Sequence, residues 1–315
     1  MVLVDDFSTD STIKIAKNYR KNNQIDLIHR NKENLGVSNC RNIGIRLCKN
    51  TDYVTFLDGD DILYPSLSKF ISYKYIYGDL VALKFDFLLQ KKVTQNSFYN
   101  IDKKLEIKDI KKYFYRYLDR PNQNNLFTTC WAKLYKTKLL SNKNLYFNED
   151  LRLCEDTDFV FRFLKISKNI QYINHSIYRH SLGSGKQNLK KATFGVNLEL
   201  DHQISFLVAL EACKNYLIKN DENLSKVDNK LDQCIGAYTV IYTIRSCIQI
   251  NSLYSLNKTY LFWKDFYKRK LILNAINSYS YKKSGGSWIL PFLIKRRLYF
   301  LAVLIAYFFA KKRYL

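Results

Sequence analysis

Tyr53-Val54-Thr55-Phe56-Leu57-Asp58-Gly59-Asp60-Asp61 runs from an apolar, strand-like stretch straight into three closely spaced carboxylates. Like charges so close together repel, and a divalent cation among them is the natural relief. Hard carboxylate oxygens select Mg²⁺ or Mn²⁺ over zinc, and such ions fill their remaining positions with water and phosphate oxygens. The competing reading is a solvated acidic turn that caps a helix starting near Ser66.

Working outward, Val2 to Asp5 is a second short apolar run that ends in acids, Asp5-Asp6. Ser8, Thr9 and Asp10 offer caps for a helix through Ile13, Ala16 and Tyr19. Ile25 to His29 reads as a strand, Asn34-Leu35-Gly36 as a turn, and Val37 to Cys48 as a helix with apolar residues on one face. Strand and helix alternate, which predicts an α/β fold with a mostly parallel sheet and ligands at the strand C-termini. In such a sheet Asp5, Asp6, Asp58 and Asp60 line one crevice. Asp6 there accepts a hydrogen bond from a uracil imide or a ribose hydroxyl, or else ties down its own turn.

Further along, Leu80 to Leu89 reads as a strand, Ile107 to Leu118 as a helix, and Phe127 to Leu134 as a strand or buried loop. Glu155 to Ile166 is helical, Ile170 to Arg179 extended, and Ser181 to Lys191 a polar loop with Gly183, Ser184 and Gly185. From about Ala192 the pattern is helical. We expect a catalytic domain over 1–190, a helical region over 191–286 and a basic, apolar tail over 287–315.

The 315 residues carry a net charge of +23, so an anionic partner is expected. The excess is uneven. After Asp265 there is no acid, while Lys268, Arg269, Lys270, Lys282, Lys283, Lys295, Arg296, Arg297, Lys311, Lys312 and Arg313 follow. No RNA-reading motif accompanies them, which argues against a nucleic-acid partner. The seven cysteines are scattered and contain no C-x-x-C, and no secretory signal is visible; buried thiols in a cytoplasmic protein are expected.

Five segments taken together resemble family 2 glycosyltransferases of the GT-A fold. They are Val4-Asp5-Asp6 through Ser8-Thr9-Asp10, Asn34-Leu35-Gly36 through Arg41-Asn42-x-Gly44, Phe56-Leu57-Asp58-Gly59-Asp60-Asp61, Trp131-x-Lys133-Leu134-Tyr135, and Glu155-Asp156-Thr157-Asp158-Phe159. Their order and spacing match over residues 2 to about 185. The resemblance implies inverting, metal-dependent transfer from a nucleotide-activated sugar to a hydroxyl acceptor, such as a lipid-linked glycan in surface polysaccharide synthesis. It places Asp5 at the nucleotide sugar, Asp6 near the base, Arg41 near base or phosphate, Asp58 and Asp60 around the ribose and a Mg²⁺ or Mn²⁺ ion, and Asp156 as catalytic base with Glu155 in the same catalytic pair. Alone, Glu155-Asp156 reads as a helix cap and Arg41 as a surface arginine.

Trp131 is either a wall under the acceptor or a core residue, and His180, in Tyr178-Arg179-His180, resembles a position near the diphosphate. Relatives of this type start with a further βα unit ahead of the strand that is Val2 to Asp5 here. An N-terminally incomplete catalytic domain is therefore expected, and an inactive, membrane-associated or partner-binding protein is the competing reading.

Ser287 to Leu315 alternates apolar and cationic blocks, and its longest apolar run, Leu298 to Ala310, is shorter than the ~20 residues that span a bilayer. A segment lying in an anionic membrane interface is expected, peripheral on the cytoplasmic face of the inner membrane. The alternative is a buried terminal helix.

Overall fold

A computed structural model describes residues 1–22, 25–64, 76–89, 92–96, 98–121, 125–182, 203–220, 223–281 and 288–314. The helix expected to start near Ser66, residues 183–191 of the polar loop, and Lys282 and Lys283 lie outside these residues. The chain divides into two compact units, one of 1–108 and 125–181, the other of 109–124 and 182–315.

In the first unit, β1 (Val2–Asp5) pairs in parallel with β2 (Leu27–Arg30), and the connection carries α1 (Thr12–Lys21). The helix α2 (Val37–Leu47) follows. A second sheet has the strand order β3 (Tyr53–Val54), β8 (Lys133–Lys136), β5 (Leu80–Leu89), β9 (Ile170–Leu182), β4 (Ile62–Leu63); β6 (Lys92–Asn96) pairs with β5 and β7 (Lys103–Leu105) with β9. The expected parallel pairing is seen between β1 and β2, whereas the larger sheet is largely antiparallel. Strand β5 runs antiparallel to both β6 and β8, and β9 antiparallel to β4 and β7. The physical reason is connection length: Leu89 to Lys92 closes a short hairpin, which only antiparallel strands allow. The strand expected over 53–57 is paired only over Tyr53 and Val54, opposite Lys136 and Tyr135 of β8.

Leu80, Val81, Ala82 and Leu83 are all buried, so the first half of β5 is covered on both faces, as this apolar run of four demands. One layer is aromatic: Phe147 stacks on Phe159 at 3.9 Å, and Phe56 meets both edge-on. Phe159 belongs to α5 (Glu155–Ile166), which therefore docks its apolar face while presenting its acidic first turn elsewhere. Burying each such ring is worth roughly 1.5–3 kcal/mol. The other layer contains Val81, Leu83, Phe85, Trp131 and Tyr178. The remaining helix of this unit is α4 (Thr137–Asn142).

The second unit is helical. It contains most of α3 (Ile107–Asp119), then α6 (Gln203–Asn220), α7 (Leu224–Ser246), α8 (Leu253–Tyr267), α9 (Lys270–Ser278), α10 (Ile289–Lys295) and α11 (Tyr299–Tyr314). Trp263 is wholly buried and donates through Nε1 to Ser246 Oγ at 2.7 Å. A Cβ on Gly236 would meet Tyr279 at 2.7 Å, so α7 and the chain after α9 approach this closely only because residue 236 has none. Among the described residues no helix is long and apolar enough to cross a membrane.

Candidate active site

The first turn after β1 is held by its own acids. Asp5 is buried, accepts from the Ser8 amide at 3.2 Å and pairs with Arg30 Nε at 3.2 Å. Asp6 accepts from the Leu35 and Gly36 amides, each at 2.8 Å, and from Asn31 Nδ2 at 2.9 Å. Burial raises the pKa of Asp6, but these donors outweigh it and hold the carboxyl below its ordinary value. Asp6 thus fastens the 34–36 turn to β1. Gly36 makes that turn at φ +89°, and a Cβ there would meet Arg152 at 2.9 Å.

The turn delivers α2, and α2 delivers Arg41. Its guanidinium donates to Asp58 Oδ1 at 2.9 Å, to Asp156 Oδ1 at 2.5 Å and to Glu155 Oε1 at 3.5 Å, and lies 5.2 Å from the Phe147 ring centroid. The two acidic groups, about a hundred residues apart in sequence, therefore meet around one buried cation. Asp156 Oδ2 accepts from the Cys130 amide at 3.0 Å. Glu155, beside it, accepts from its own amide and, at 3.5 Å, from Arg41. Burial, with the Asp156 charge, pushes the Glu155 carboxyl up to about 7 despite Arg41. Burial likewise raises Asp58 against the pull of Arg41. Glu155 also lines a cleft of about 220 Å³ with Gly36, Ser38, Glu149 and Arg152.

The acidic stretch after β3 does not converge on one point. Asp58 turns to Arg41. Asp61, with no side-chain exposure, accepts from Tyr178 Oη at 2.5 Å, from the Ser181 amide at 2.7 Å and contacts His180 Nδ1 at 3.0 Å. Tyr178 Oη in turn accepts from the Asp58 amide at 3.4 Å. The mutual repulsion expected from sequence is relieved by Arg41 and by this cage, which leaves Asp60 exposed. Among the described residues no three His, Cys, Asp or Glu side chains cluster as a ligand set. An exposed Asp60 beside Asp58, whose Oδ2 makes none of these bonds, still offers the one or two hard carboxylates that Mg²⁺ or Mn²⁺ needs when phosphate and water complete the shell.

Trp131 is buried among core residues. It stacks on Tyr178 at 4.9 Å and 6°, and on His180 at 4.9 Å and 18°. Burial lowers the His180 pKa, but the bond to Asp61 and the charges of Asp61, Asp58 and Asp60 raise it above the ordinary value. The loop carrying Trp131 is pinned from below. Lys133 Nζ donates to Trp131 O at 3.1 Å and Thr129 Oγ1 at 3.3 Å, and Tyr135 Oη to Cys130 O at 2.9 Å. Lys133 is 1% exposed, and burial pushes its ammonium down to about 7. Phe7, Ala132 and Cys154, each next to a candidate site residue, adopt positive φ of 65°, 52° and 56°. Left-handed backbone at such residues costs about 1–3 kcal/mol and concentrates at functional sites.

Sequence assigns no role to Tyr178, Lys133 or the Cys130 amide, and Asp61 enters it only as one of the three clustered acids. Tyr178 and His180 share a strand face by simple alternation, a signal that was available. The Cys130 amide carries none, because it is backbone placed by a fold.

Residues 1–142 match the profile of the family described as Glycosyl transferase family 2. That segment belongs to the family. Curated relatives include a protein of Bacillus subtilis described as uncharacterized glycosyltransferase EpsJ, 26% identical over 181 residues, covering 56% of this chain and 51% of that protein. Another is the Staphylococcus aureus poly(ribitol-phosphate) beta-N-acetylglucosaminyltransferase TarS, 23% identical over 215 residues, covering 67% of this chain and 34% of that protein. The match thus spans about half of EpsJ and about a third of TarS. The crystal structure of S. aureus TarS 1–349 with UDP-GlcNAc superposes with a TM-score of 0.65 at 17% identity, covering 99% of this chain and 82% of that one. This likeness is one of fold, and it bears out the GT-A-like α/β class with a helical C-terminal region. The family 2 segment ends within α4, so Arg41, Asp58, Asp60 and Trp131 fall inside it while Glu155, Asp156 and His180 lie beyond.

Proposed function

We propose that this chain transfers a sugar, with inversion, from a nucleotide-sugar donor to a hydroxyl acceptor in the synthesis of a surface glycopolymer. The observation that carries the reading is Arg41, which ties the strand-end acid Asp58 to the helix-start acids Glu155 and Asp156. Relatives support the substrate class: TarS is crystallised with UDP-GlcNAc, and another B. subtilis relative, GgaB, 24% identical over 199 residues, is named a minor teichoic acid biosynthesis protein.

In the transfer, the acceptor oxygen forms a bond to the anomeric carbon as the bond to the diphosphate breaks, and the hydroxyl proton passes to a carboxylate. Asp156 is that base. Arg41 and the Cys130 amide fix its orientation, and Arg41 must share it as the proton arrives. The diphosphate leaves as an anion and needs positive charge. Mg²⁺ or Mn²⁺ held by Asp60 and Asp58 would supply it. The imidazole of His180, oriented by Asp61, adds a second cationic group when protonated. The acceptor in this reading is a lipid-linked glycan, and the work is done peripherally at the anionic cytoplasmic face of the inner membrane.

The test is UDP release by the purified chain from UDP-N-acetylglucosamine, UDP-glucose or UDP-galactose, with Mn²⁺ or Mg²⁺. Release that disappears in Asp156→Asn with donor affinity retained is expected. No release from any donor overturns the proposal, and loss confined to Glu155→Gln moves the base by one residue.

A further inference from the structure

A helix at the surface of a folded unit normally shows polar residues outward. Helix α11 does not. Tyr299, Ala302, Val303, Ala306 and Ala310 form its buried side. The opposite side is Leu301, Leu304, Ile305 and Phe308, spaced three and four apart, with Phe308 60% exposed. Between Tyr299 and Ala310 there is no charged or amide side chain. Helix α10, with Trp288 just before its start, adds Trp288 at 53% and Phe292 at 45% exposure, one turn apart with ring centroids at 5.8 Å.

Cations stand at both ends of this apolar face. Arg296 lies 5.8 Å from the Phe292 ring centroid, with Lys295 and Arg297 exposed beside it, and Lys311 and Lys312 close the far end. No acid occurs after Asp265 to neutralise them. An uncovered apolar face of this kind marks an interaction surface. Its basic rim decides the occupant: anionic headgroups match the cations while acyl chains take the leucine and aromatic side chains, and a second copy of the same basic face would repel it.

We propose that the outward face of α10 and α11 docks on an anionic lipid bilayer, lying in its interface without spanning it. This deepens the reading above by naming the surface that meets the membrane, but it is measured without donor or acceptor, so its failure leaves sugar transfer standing.

The experiment is flotation of the full chain with phosphatidylcholine vesicles, with or without 30 mol% phosphatidylglycerol. Retention on the anionic vesicles at least tenfold above the neutral ones, falling with added salt, is expected. Leu301→Glu with Phe308→Glu should abolish it with an unchanged circular dichroism spectrum. Should that variant misfold, tryptophan emission of the unaltered chain serves instead. Trp131 and Trp263 are buried, so a blue shift on adding anionic vesicles reports Trp288. Equal retention on both vesicle types, no retention with no blue shift, or a dimer abolished by the same substitutions in a chain that ignores vesicles, each overturns the proposal.

Discussion

Arg41 Nη1 stands 2.5 Å from Asp156 Oδ1, joining the helix after β2 to the first turn of a helix more than a hundred residues later. The same guanidinium reaches Asp58 and Glu155, so three carboxylates depend on one buried cation. Removing one partner of a buried ion pair costs about 3–5 kcal/mol, because the charges left behind lose their compensation. Arg41→Ala should therefore lower stability by about that much in urea denaturation. Arg41→Lys should recover only part of it, since a single ammonium cannot span the three acids as a planar fork does. Unchanged denaturation midpoints for both variants would show that the acids do not rely on Arg41.

Glu155 carries a pH signature of its own. Its folded pKa, about 7, lies above the ordinary 4.5, so the neutral form is the one that folding favours. The stability this contributes is full below pH 4.5 and is lost as pH rises through about 7. Glu155→Gln fixes the neutral form and removes the loss. At pH 8 the variant should exceed the unaltered chain by about 1–3 kcal/mol, and at pH 4.5 the two should converge. A constant difference across that range would refute the shift.

Asp60 is exposed, and its substitution has little structural cost to exact. Asp60→Ala should change stability by less than about 0.5 kcal/mol, as surface substitutions do. Metal-stimulated UDP release should nevertheless fall by about a hundredfold or more. If release with Mn²⁺ is untouched, the metal sits elsewhere or plays no part.

Lys133 behaves in the opposite sense to an ordinary surface lysine. Burial lowers its pKa from 10.5 to about 7, so folding again favours the neutral form. Its contribution is full above pH 10.5 and is lost as pH falls through about 7. Lys133→Met removes the titrating group, and the stability gain of the unaltered chain between pH 7 and 9 should disappear in the variant. Because Lys133 holds Trp131 O, the variant should also loosen the Trp131 stack on His180, read as a change in near-ultraviolet circular dichroism. A near-ultraviolet spectrum identical to that of the unaltered chain would uncouple the lysine from the stack.

Local sequence determined what local physics controls. Val2 to Asp5, Val37 to Leu47, Leu80 to Leu89 and Glu155 to Ile166 were legible because hydrophobic period and turn chemistry act over a few residues. The motif residues Asp58, Asp60, Glu155 and Asp156 were legible as acids in series, and the family segment was legible from their order. Partnership was decided only by the tertiary structure. Nothing near Asp61 in the chain announces that His180, Tyr178 and the Ser181 amide will enclose it, or that Arg41 will take Asp58. Strand direction in the larger sheet was settled in the same way, by which strands the connections allow to meet. A charged group's neighbours in space come from distant parts of the chain, and its ionisation and reach follow those neighbours rather than its own flanking residues.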